Sequence, residues 1–172
     1  YEIEGLLGMG GMGAVWRARH AVTGRKLAIK VLDERYLENE QVVRRFGREA
    51  RVASAIQHPG IVEVLDLDQT DAGVPFLVME FLEGETLAGR IERRGRLEQD
   101  ELVRLGKMLL EALDAAHTHG VIHRDLKPEN IYVVPAGRRG EVVKILDFGI
   151  SHMREEGDPK LTQTGSVLGT PH

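Results

Sequence analysis

Two short motifs constrain the fold of this 172-residue chain more than any other feature. Residues 123–130 read His-Arg-Asp-Leu-Lys-Pro-Glu-Asn, and residues 147–149 read Asp-Phe-Gly. Two apolar runs, 131–134 and 142–146, separate the motifs, and a turn rich in Gly, Pro and Arg separates the runs, which is the pattern of a β-hairpin. A hairpin brings its two outer ends together, so we expect Asn130 and Asp147 to lie at the same rim.

The polar residues of these motifs are the types that phosphoryl transfer requires. A carboxylate must accept the proton of the attacking hydroxyl, and oxygen ligands must hold a divalent cation beside the phosphates. Asp125 is the candidate for the first task, and Asn130 and Asp147 are candidates for the second. Lys127 can place a positive charge beside the transferred group. The catalytic residues predicted here are therefore Asp125, Lys127 and Asn130, with Asn130 and Asp147 as metal ligands.

Together, the two motifs resemble the catalytic loop and the magnesium-binding turn of eukaryotic-type (Hanks-type) protein kinases. Lys127 is typical of the serine/threonine branch, and the run from Leu7 to Gly13 is similar to that of bacterial members. The resemblance implies transfer of the γ-phosphoryl group of ATP to Ser or Thr hydroxyls of proteins. It also implies ATP and Mg²⁺ as cofactors, with Mn²⁺ as a substitute, and pairing of two kinase copies for autophosphorylation.

Upstream, residues 8–15 fit the pattern G-x-G-x-x-G-x-V. Dinucleotide-binding turns share these glycines, but they open a helix, whereas residues 14–19 alternate like a strand. We therefore predict a strand–turn–strand unit whose backbone N–H groups approach phosphates closely. Carried over position by position, the resemblance implies nucleotide contacts at Leu7, Gly8, Gly10, Gly11, Gly13, Val15, Ala28, Lys30, Glu49, Met79, Glu80, Leu82 and Tyr132.

Lys30 ends an apolar run and is expected to reach the α- and β-phosphates, which requires a carboxylate to hold it in place. Glu49 is the best candidate because it lies in a helix-periodic stretch, 38–56, with an apolar face. In the resembling family this ion pair forms only when the helix is docked, so it also acts as a switch. The alternative for Glu49 is a surface pair with Arg45.

Three of the implied nucleotide contacts, Val15, Ala28 and Tyr132, match positions that close apolar surface around the adenine ring in kinases. Core packing explains them equally well. Tyr132 is larger than the aliphatic residue expected there, and it can either stack on the base or narrow the pocket.

The order of elements predicts an α+β, two-lobed, protein-kinase-like fold. Strands are expected in 1–32, 61–67 and 75–80, and a long amphipathic helix at 98–119, with Leu102 and Leu105 on its apolar face. We assign 1–79 to a β-rich N-lobe with one regulatory helix, 80–86 to the hinge, and 87–172 to a partial C-lobe with the catalytic loop and the start of the activation segment. The chain stops before the further helices of the kinase pattern, so we expect it to be the N-terminal part of a catalytic domain.

Composition limits the alternatives. The chain is 42% apolar and 29% charged with a net charge of −4, which suits a folded domain and gives no reason to expect nucleic-acid binding. It has no cysteine, which excludes a disulfide framework and a thiolate zinc site. No apolar run approaches the roughly 18 residues of a spanning helix. We expect a cytoplasmic protein with no membrane contact in this segment, although an anchor elsewhere stays open.

Arg124 suggests regulation, because a cation beside Asp125 can bind a phosphate on a neighbouring loop. Our hypothesis is that phosphorylation of Thr162 or Thr164 orders the segment after Asp147, while Thr170 positions the acceptor. Two other functions remain open: a non-catalytic nucleotide-binding or docking fragment, because the C-lobe is incomplete, and a small-molecule phosphotransferase with the same Asp–Asn–Asp layout.

Overall fold

The structure of this protein, a computed structural model, describes residues 1–10, 12–137 and 140–147, and describes Glu49 by its backbone alone. A five-stranded antiparallel sheet with one long helix comes first, and a three-stranded antiparallel sheet with two helices follows. The order of strands in the first sheet is β1-β2-β3-β5-β4, and in the second it is β6-β7-β8.

The first sheet and its helix form a lobe with two apolar clusters, one between the sheet and the helix and one on the other face of the sheet. The strand–turn–strand unit predicted around the glycines is confirmed, since β1 and β2 pair up to Gly10 and Gly13. The side chain of Asn39 caps the helix by accepting hydrogen bonds from two backbone N–H groups in its first turn. The bounds are β1 (Glu2–Gly10), β2 (Gly13–Arg19), β3 (Lys26–Leu32), α1 (Glu40–Ala55), β4 (Val64–Gln69) and β5 (Pro75–Glu80).

The second sheet carries the predicted hairpin, and its alternation explains its packing. Ile131, Val133, Val143 and Ile145 are buried, and a long helix covers that face. A short helix precedes the long one and begins where the Thr86 hydroxyl accepts a hydrogen bond from the Gly89 N–H at 3.0 Å. The bounds are β6 (Glu85–Thr86), α2 (Leu87–Arg94), α3 (Gln99–Thr118), β7 (Ile131–Pro135) and β8 (Glu141–Ile145).

Three local predictions differ from the structure. The strand expected at 61–67 begins only at Val64, because Ile61 instead forms an isolated parallel bridge with Ile145 and is buried there. Leu102 is exposed and lies outside the apolar clusters that α3 joins. α2 is not among the predicted elements, and half of its eight residues are charged. None of the helices formed by the described residues is long and apolar enough to cross a membrane.

A buried arginine joins the elements of the second lobe. The Arg90 guanidinium on α2 donates to carboxylates on β6, α3 and β8, namely Glu85 at 2.9 Å, Glu101 at 2.8 Å and Glu141 at 2.6 Å. Two hydrogen bonds lower the pKa of Glu141 to about 2, and the one from Arg90 has a larger effect than the one from Arg104. This network fixes α2 and α3 against the hairpin that connects the loop of the predicted catalytic residues to Asp147.

Candidate active site

The inner face of the first sheet presents the residues predicted for one side of a nucleotide cleft. Residues directly opposite each other in neighbouring antiparallel strands share a face, and so do alternate residues of one strand. Val15 lies opposite Lys30, and Ala28 lies opposite Met79. These four side chains therefore share one face, on which Ala28 and Met79 join the buried core beneath α1.

The glycines of the β1–β2 hairpin fall into two physical classes. A Cβ on Gly13 would lie 1.9 Å from the Val31 carbonyl oxygen, so the fold itself requires glycine there. A Cβ on Gly8 would meet nothing within 4 Å, and one on Gly10 would meet only the Gly13 carbonyl oxygen at 3.9 Å. Packing explains Gly13, whereas Gly8 and Gly10 leave open space beside the hairpin. Gly11 lies outside the described residues.

The segment after β5 forms the back of the cleft. The chain passes so close to β7 that a Cβ on Gly84 would lie 2.3 Å from the Val133 carbonyl oxygen. Within the described ranges, neither the N–H nor the C=O of Leu82 forms a hydrogen bond. Tyr132 lies opposite Thr86 and half-buried on the face of β7 away from the core. Glu80 at the end of β5, the backbone of Leu82 and the Tyr132 ring are the groups predicted to contact the base.

The loop from His123 to Asn130 holds its own polar groups in a fixed arrangement. The Lys127 ammonium donates to an Asp125 carboxylate oxygen at 2.9 Å, and this bond raises the pKa of Lys127. The Asn130 side-chain amide donates to the Asp125 carbonyl oxygen at 2.9 Å. Pro128 to Asn130 form a 3₁₀ turn that begins with proline, whose fixed φ suits a first helical position. The loop therefore presents its carboxylate, ammonium and amide together.

Two hydrogen bonds tie this loop to the residue before Asp147. The Leu146 N–H donates to the Asn130 carbonyl oxygen at 2.8 Å. The buried His123 ring contacts the Leu146 carbonyl oxygen through Nε2 at 2.9 Å, and because a carbonyl can only accept, Nε2 carries the proton. Burial lowers the pKa of His123, although the bond to Leu146 opposes this effect. His123 is therefore neutral at neutral pH and fastens the loop to the hairpin.

One contact connects the first lobe to the segment that follows β8 in the second lobe. The Lys30 ammonium on β3 lies 2.8 Å from Oδ1 of Asp147, a residue 117 positions later in the chain. Asp147 and Arg124 are the only residues other than glycine with positive φ in the described part of the chain, at 45° and 63°. Such backbone strain is concentrated at functional sites.

Comparisons with known proteins agree with this geometry. The sequence model of the protein kinase domain matches residues 1–172. The chain belongs to the protein kinase family. It is 44% identical over 99% of its length to serine/threonine-protein kinase pkn3 of Myxococcus xanthus, and 37% identical over 99% to PknA of Mycobacterium tuberculosis. It spans 32% of the length of pkn3 and 39% of PknA.

A solved kinase structure shows the same fold. The kinase domain of Mycobacterium tuberculosis PknI aligns with a TM-score of 0.71 and 30% sequence identity, over 86% of this chain and 59% of that chain. The predicted kinase family and the α+β, two-lobed fold are therefore confirmed. Protein kinases as a family use ATP and a divalent metal ion, and act on proteins.

The structure brings five of the predicted site residues close together. Lys30 and Asp147 are in contact, and the loop that carries Asp125, Lys127 and Asn130 is bonded to the residue before Asp147. Some predictions fall outside what the structure describes. These are the Lys30–Glu49 ion pair, the phosphorylation of Thr162 or Thr164, and the role of Thr170.

Sequence reasoning missed the backbone of Leu146, which joins the catalytic loop to β8. Its N–H and C=O carry the two bonds that hold the loop. Backbone contacts of this kind depend on chain path and leave no side-chain signal. Only the alternation of β8, which predicts a hairpin end at this position, could have indicated it.

Proposed function

We propose that this chain carries the catalytic centre of a serine/threonine protein kinase, which transfers the γ-phosphoryl group of Mg-ATP to Ser or Thr hydroxyls of proteins. The contact of Lys30 with Asp147 carries the proposal, because it joins the phosphate-side lysine of one lobe to the metal-side carboxylate of the other. Lys30 is largely sheltered, with a side chain 12% exposed, while Asp147 is 48% exposed toward the cleft. A sheltered cation that meets an accessible carboxylate suits the binding of phosphates with a metal ion.

Several residues of this structure fit ATP. The open space beside Gly8 and Gly10 admits phosphate oxygens close to the hairpin backbone. We assign the adenine end to Val15, Ala28, Met79 and Tyr132, and the base-edge hydrogen bonds to backbone groups of Glu80 and Leu82. Leu7, Gly11 and Gly13 complete the hairpin, and Glu49 is the proposed partner of Lys30 in the docked state of α1.

Asn130 and Asp147 are the proposed metal ligands. The Asn130 amide nitrogen already donates to the Asp125 carbonyl oxygen, so the atom offered to a cation is its Oδ1. Amide and carboxylate oxygens are hard ligands that suit Mg²⁺, and Mn²⁺ accepts the same set. The bound ion would supply charge neutralisation at the phosphates.

Asp125 and Lys127 act on the acceptor side of the site. The Asp125 carboxylate is 43% exposed, so an acceptor hydroxyl can reach it and give up its proton. Lys127 holds this carboxylate at 2.9 Å and keeps a positive charge near the transferred group. The bond from the Asn130 amide orients the backbone at Asp125, so that the metal site and the base move as one unit.

The proposal includes the boundaries of the two lobes, autophosphorylation and a cellular location. Residues 1–79 form the N-lobe, 80–86 the hinge and 87–172 part of the C-lobe. Autophosphorylation between two copies is included because Thr162 and Thr164 offer acceptor hydroxyls in the same chain. A cytoplasmic location is included because the reaction depends on a supply of ATP.

The decisive experiment is transfer of labelled γ-phosphate from Mg-ATP to a generic Ser/Thr protein substrate by the full-length protein. The matched control is Asp125→Asn, which preserves shape and removes the base. We expect the substitution to lower kcat by about 10²-fold or more while nucleotide binding persists. ATP binding without transfer by the wild-type protein would instead favour a nucleotide-binding or docking module. Transfer to a small molecule alone would favour the phosphotransferase alternative.

A further inference from the structure

A second ion pair crosses the two lobes behind the cleft. The Lys144 ammonium on β8 donates to Oε1 of Glu80, at the end of β5, at 2.5 Å, and to the Ile61 carbonyl oxygen at 3.3 Å. The same Glu80 oxygen accepts a hydrogen bond from the Glu63 backbone N–H at 2.8 Å. Glu80 and Lys144 are thus held to each other and to the segment between α1 and β4.

That segment, residues 60–63, connects both partners of the pair through its backbone. On one side, the Ile145 N–H donates to the Gly60 carbonyl oxygen at 2.8 Å, and the Val62 N–H donates to the Ile145 carbonyl oxygen at 3.1 Å. On the other side, the Glu80 N–H donates to the Glu63 carbonyl oxygen at 3.0 Å. The hinge end of β5 and the strand that leads to Asp147 are therefore attached to one short connector.

Burial distinguishes this pair from the Lys26–Glu83 ion pair, which also involves a hinge residue. The side chains of Lys144 and Glu80 are 15% and 21% exposed, whereas those of Lys26 and Glu83 are 53% and 66% exposed. A sheltered pair is less screened by water and salt than an exposed one, and its two charges depend more strongly on each other. The pair formed by Lys26 and Glu83 is thus a matched control with the same residue types.

We propose that Lys144 and Glu80 are positioning residues for nucleotide binding, because their partly buried ion pair fixes the spacing between the base end and the metal end of the cleft. The proposal rests on the function proposed above. Glu80 lies at the strand end assigned to the base edge, and Lys144 precedes the metal ligand Asp147 by three residues. Neither charge needs to touch the nucleotide. The pair holds the base-edge strand end and the metal-ligand segment at a fixed spacing before the nucleotide binds. This reduces the entropy that is lost when the two segments become ordered on binding.

The first test compares four variants by equilibrium titration with a fluorescent ATP analogue and Mg²⁺, a readout that needs no turnover. Lys144→Met and Glu80→Gln should each weaken nucleotide binding by about ten-fold, since each breaks the pair. Lys144→Arg should restore most of the affinity, because it keeps the positive charge. Lys26→Met should bind like the wild type, since its pair is exposed to solvent.

A double-mutant cycle and steady-state kinetics complete the test. Glu80→Gln/Lys144→Met should bind no more weakly than either single variant, because it leaves no unpaired buried charge. KM for ATP should rise in the single variants, while kcat changes by less than about three-fold. If one single variant does not fold, the other single variant and the double variant still carry the comparison.

Two results would overturn the proposal. One is wild-type affinity in both single variants; if their thermal stability fell at the same time, the pair would be structural only. The other is tighter binding, which would mean that the pair holds the cleft in a geometry that resists nucleotide. If the wild-type protein itself bound no nucleotide, the proposed function would fail instead.

Discussion

The two classes of glycine in the β1–β2 hairpin lead to a sharp prediction. In Gly13→Ala, the new methyl group would lie 1.9 Å from the Val31 carbonyl oxygen and 3.2 Å from the Asp33 backbone nitrogen. Ordinary van der Waals contact begins near 3.4 Å, so the hairpin must move away from β3 by about 1.5 Å. No flexible side chain can absorb the shift, because the atoms in the way are backbone atoms.

The expected cost follows from the hydrogen bonds at this junction. Moving the hairpin breaks the bond from the Asp33 N–H to the Met12 carbonyl oxygen, now 2.9 Å, and the pairing of Gly13 with Leu32. At about 1 kcal/mol for each lost backbone bond, together with residual strain, the free energy of unfolding should fall by about 2–3 kcal/mol. For a domain of this size, the midpoint of thermal unfolding should fall by about 5–10 °C.

Gly8→Ala is the matched comparison, because the same methyl group there meets nothing within 4 Å. Its stability should stay within about 0.5 kcal/mol of the wild type. Nucleotide affinity should nevertheless fall by about ten-fold, since the methyl group occupies the space assigned to phosphate oxygens. Calorimetry and titration with a fluorescent ATP analogue measure the two quantities separately.

The reasoning fails if the two alanine variants lose the same amount of stability. It also fails if Gly13→Ala unfolds at the wild-type temperature, because the close approach to β3 would then not constrain the hairpin. Unchanged nucleotide affinity in Gly8→Ala would leave the hairpin without its proposed role at the phosphates.

Further predictions concern the second lobe. Arg90→Met should lower the free energy of unfolding by about 3 kcal/mol, because it breaks a buried network. The loss stays below the upper end of the range for such changes, since each of the three carboxylates keeps a second arginine partner. Arg94 is more exposed, so Arg94→Met should lower the free energy of unfolding by less than about 1 kcal/mol, and denaturant unfolding measures both variants. Because the folded-state pKa of Glu141 is lowered to about 2, the stability that this residue contributes is present above pH 4.5 and is lost as the pH falls from 4.5 toward 2. The melting temperature of Glu141→Gln should therefore decrease less over this pH range than that of the wild type. Burial lowers the pKa of His123, so stability should also decrease as the pH falls below 6.5, and His123→Asn should lack this component; an equal decrease in both proteins would contradict the assignment.

Local patterns predicted the elements whose own residues carry the signal. The period-2 alternation on either side of a Gly- and Pro-containing turn correctly predicted the β7–β8 hairpin, and helical periodicity predicted α1 and α3 to within a few residues. α2 was not predicted, because four of its eight residues are charged and its apolar pattern is short. Arg90 anchors this helix through hydrogen bonds to carboxylates on three other elements. Such a helix depends on distant partners that no local window contains.

Packing between distant elements decided which apolar residues are buried where the sequence pattern was ambiguous. The apolar residue Ile61 fits the start of a strand, but it bridges to Ile145 and is buried in an apolar cluster that includes residues of α3. Leu102 lies on the correct side of α3, yet it is exposed, because periodicity gives the angle around a helix and not what packs there.

The sequence by itself determined the chemistry that we propose for the site, since the spacing of Asp125, Lys127, Asn130 and Asp147 is a local property of two loops and a hairpin. Only the tertiary structure decided how the two lobes are held together. The contact of Lys30 with Asp147 and the partly buried pair of Glu80 with Lys144 join residues far apart in the chain. Their strength depends on distance and burial, which are quantities that appear only after folding.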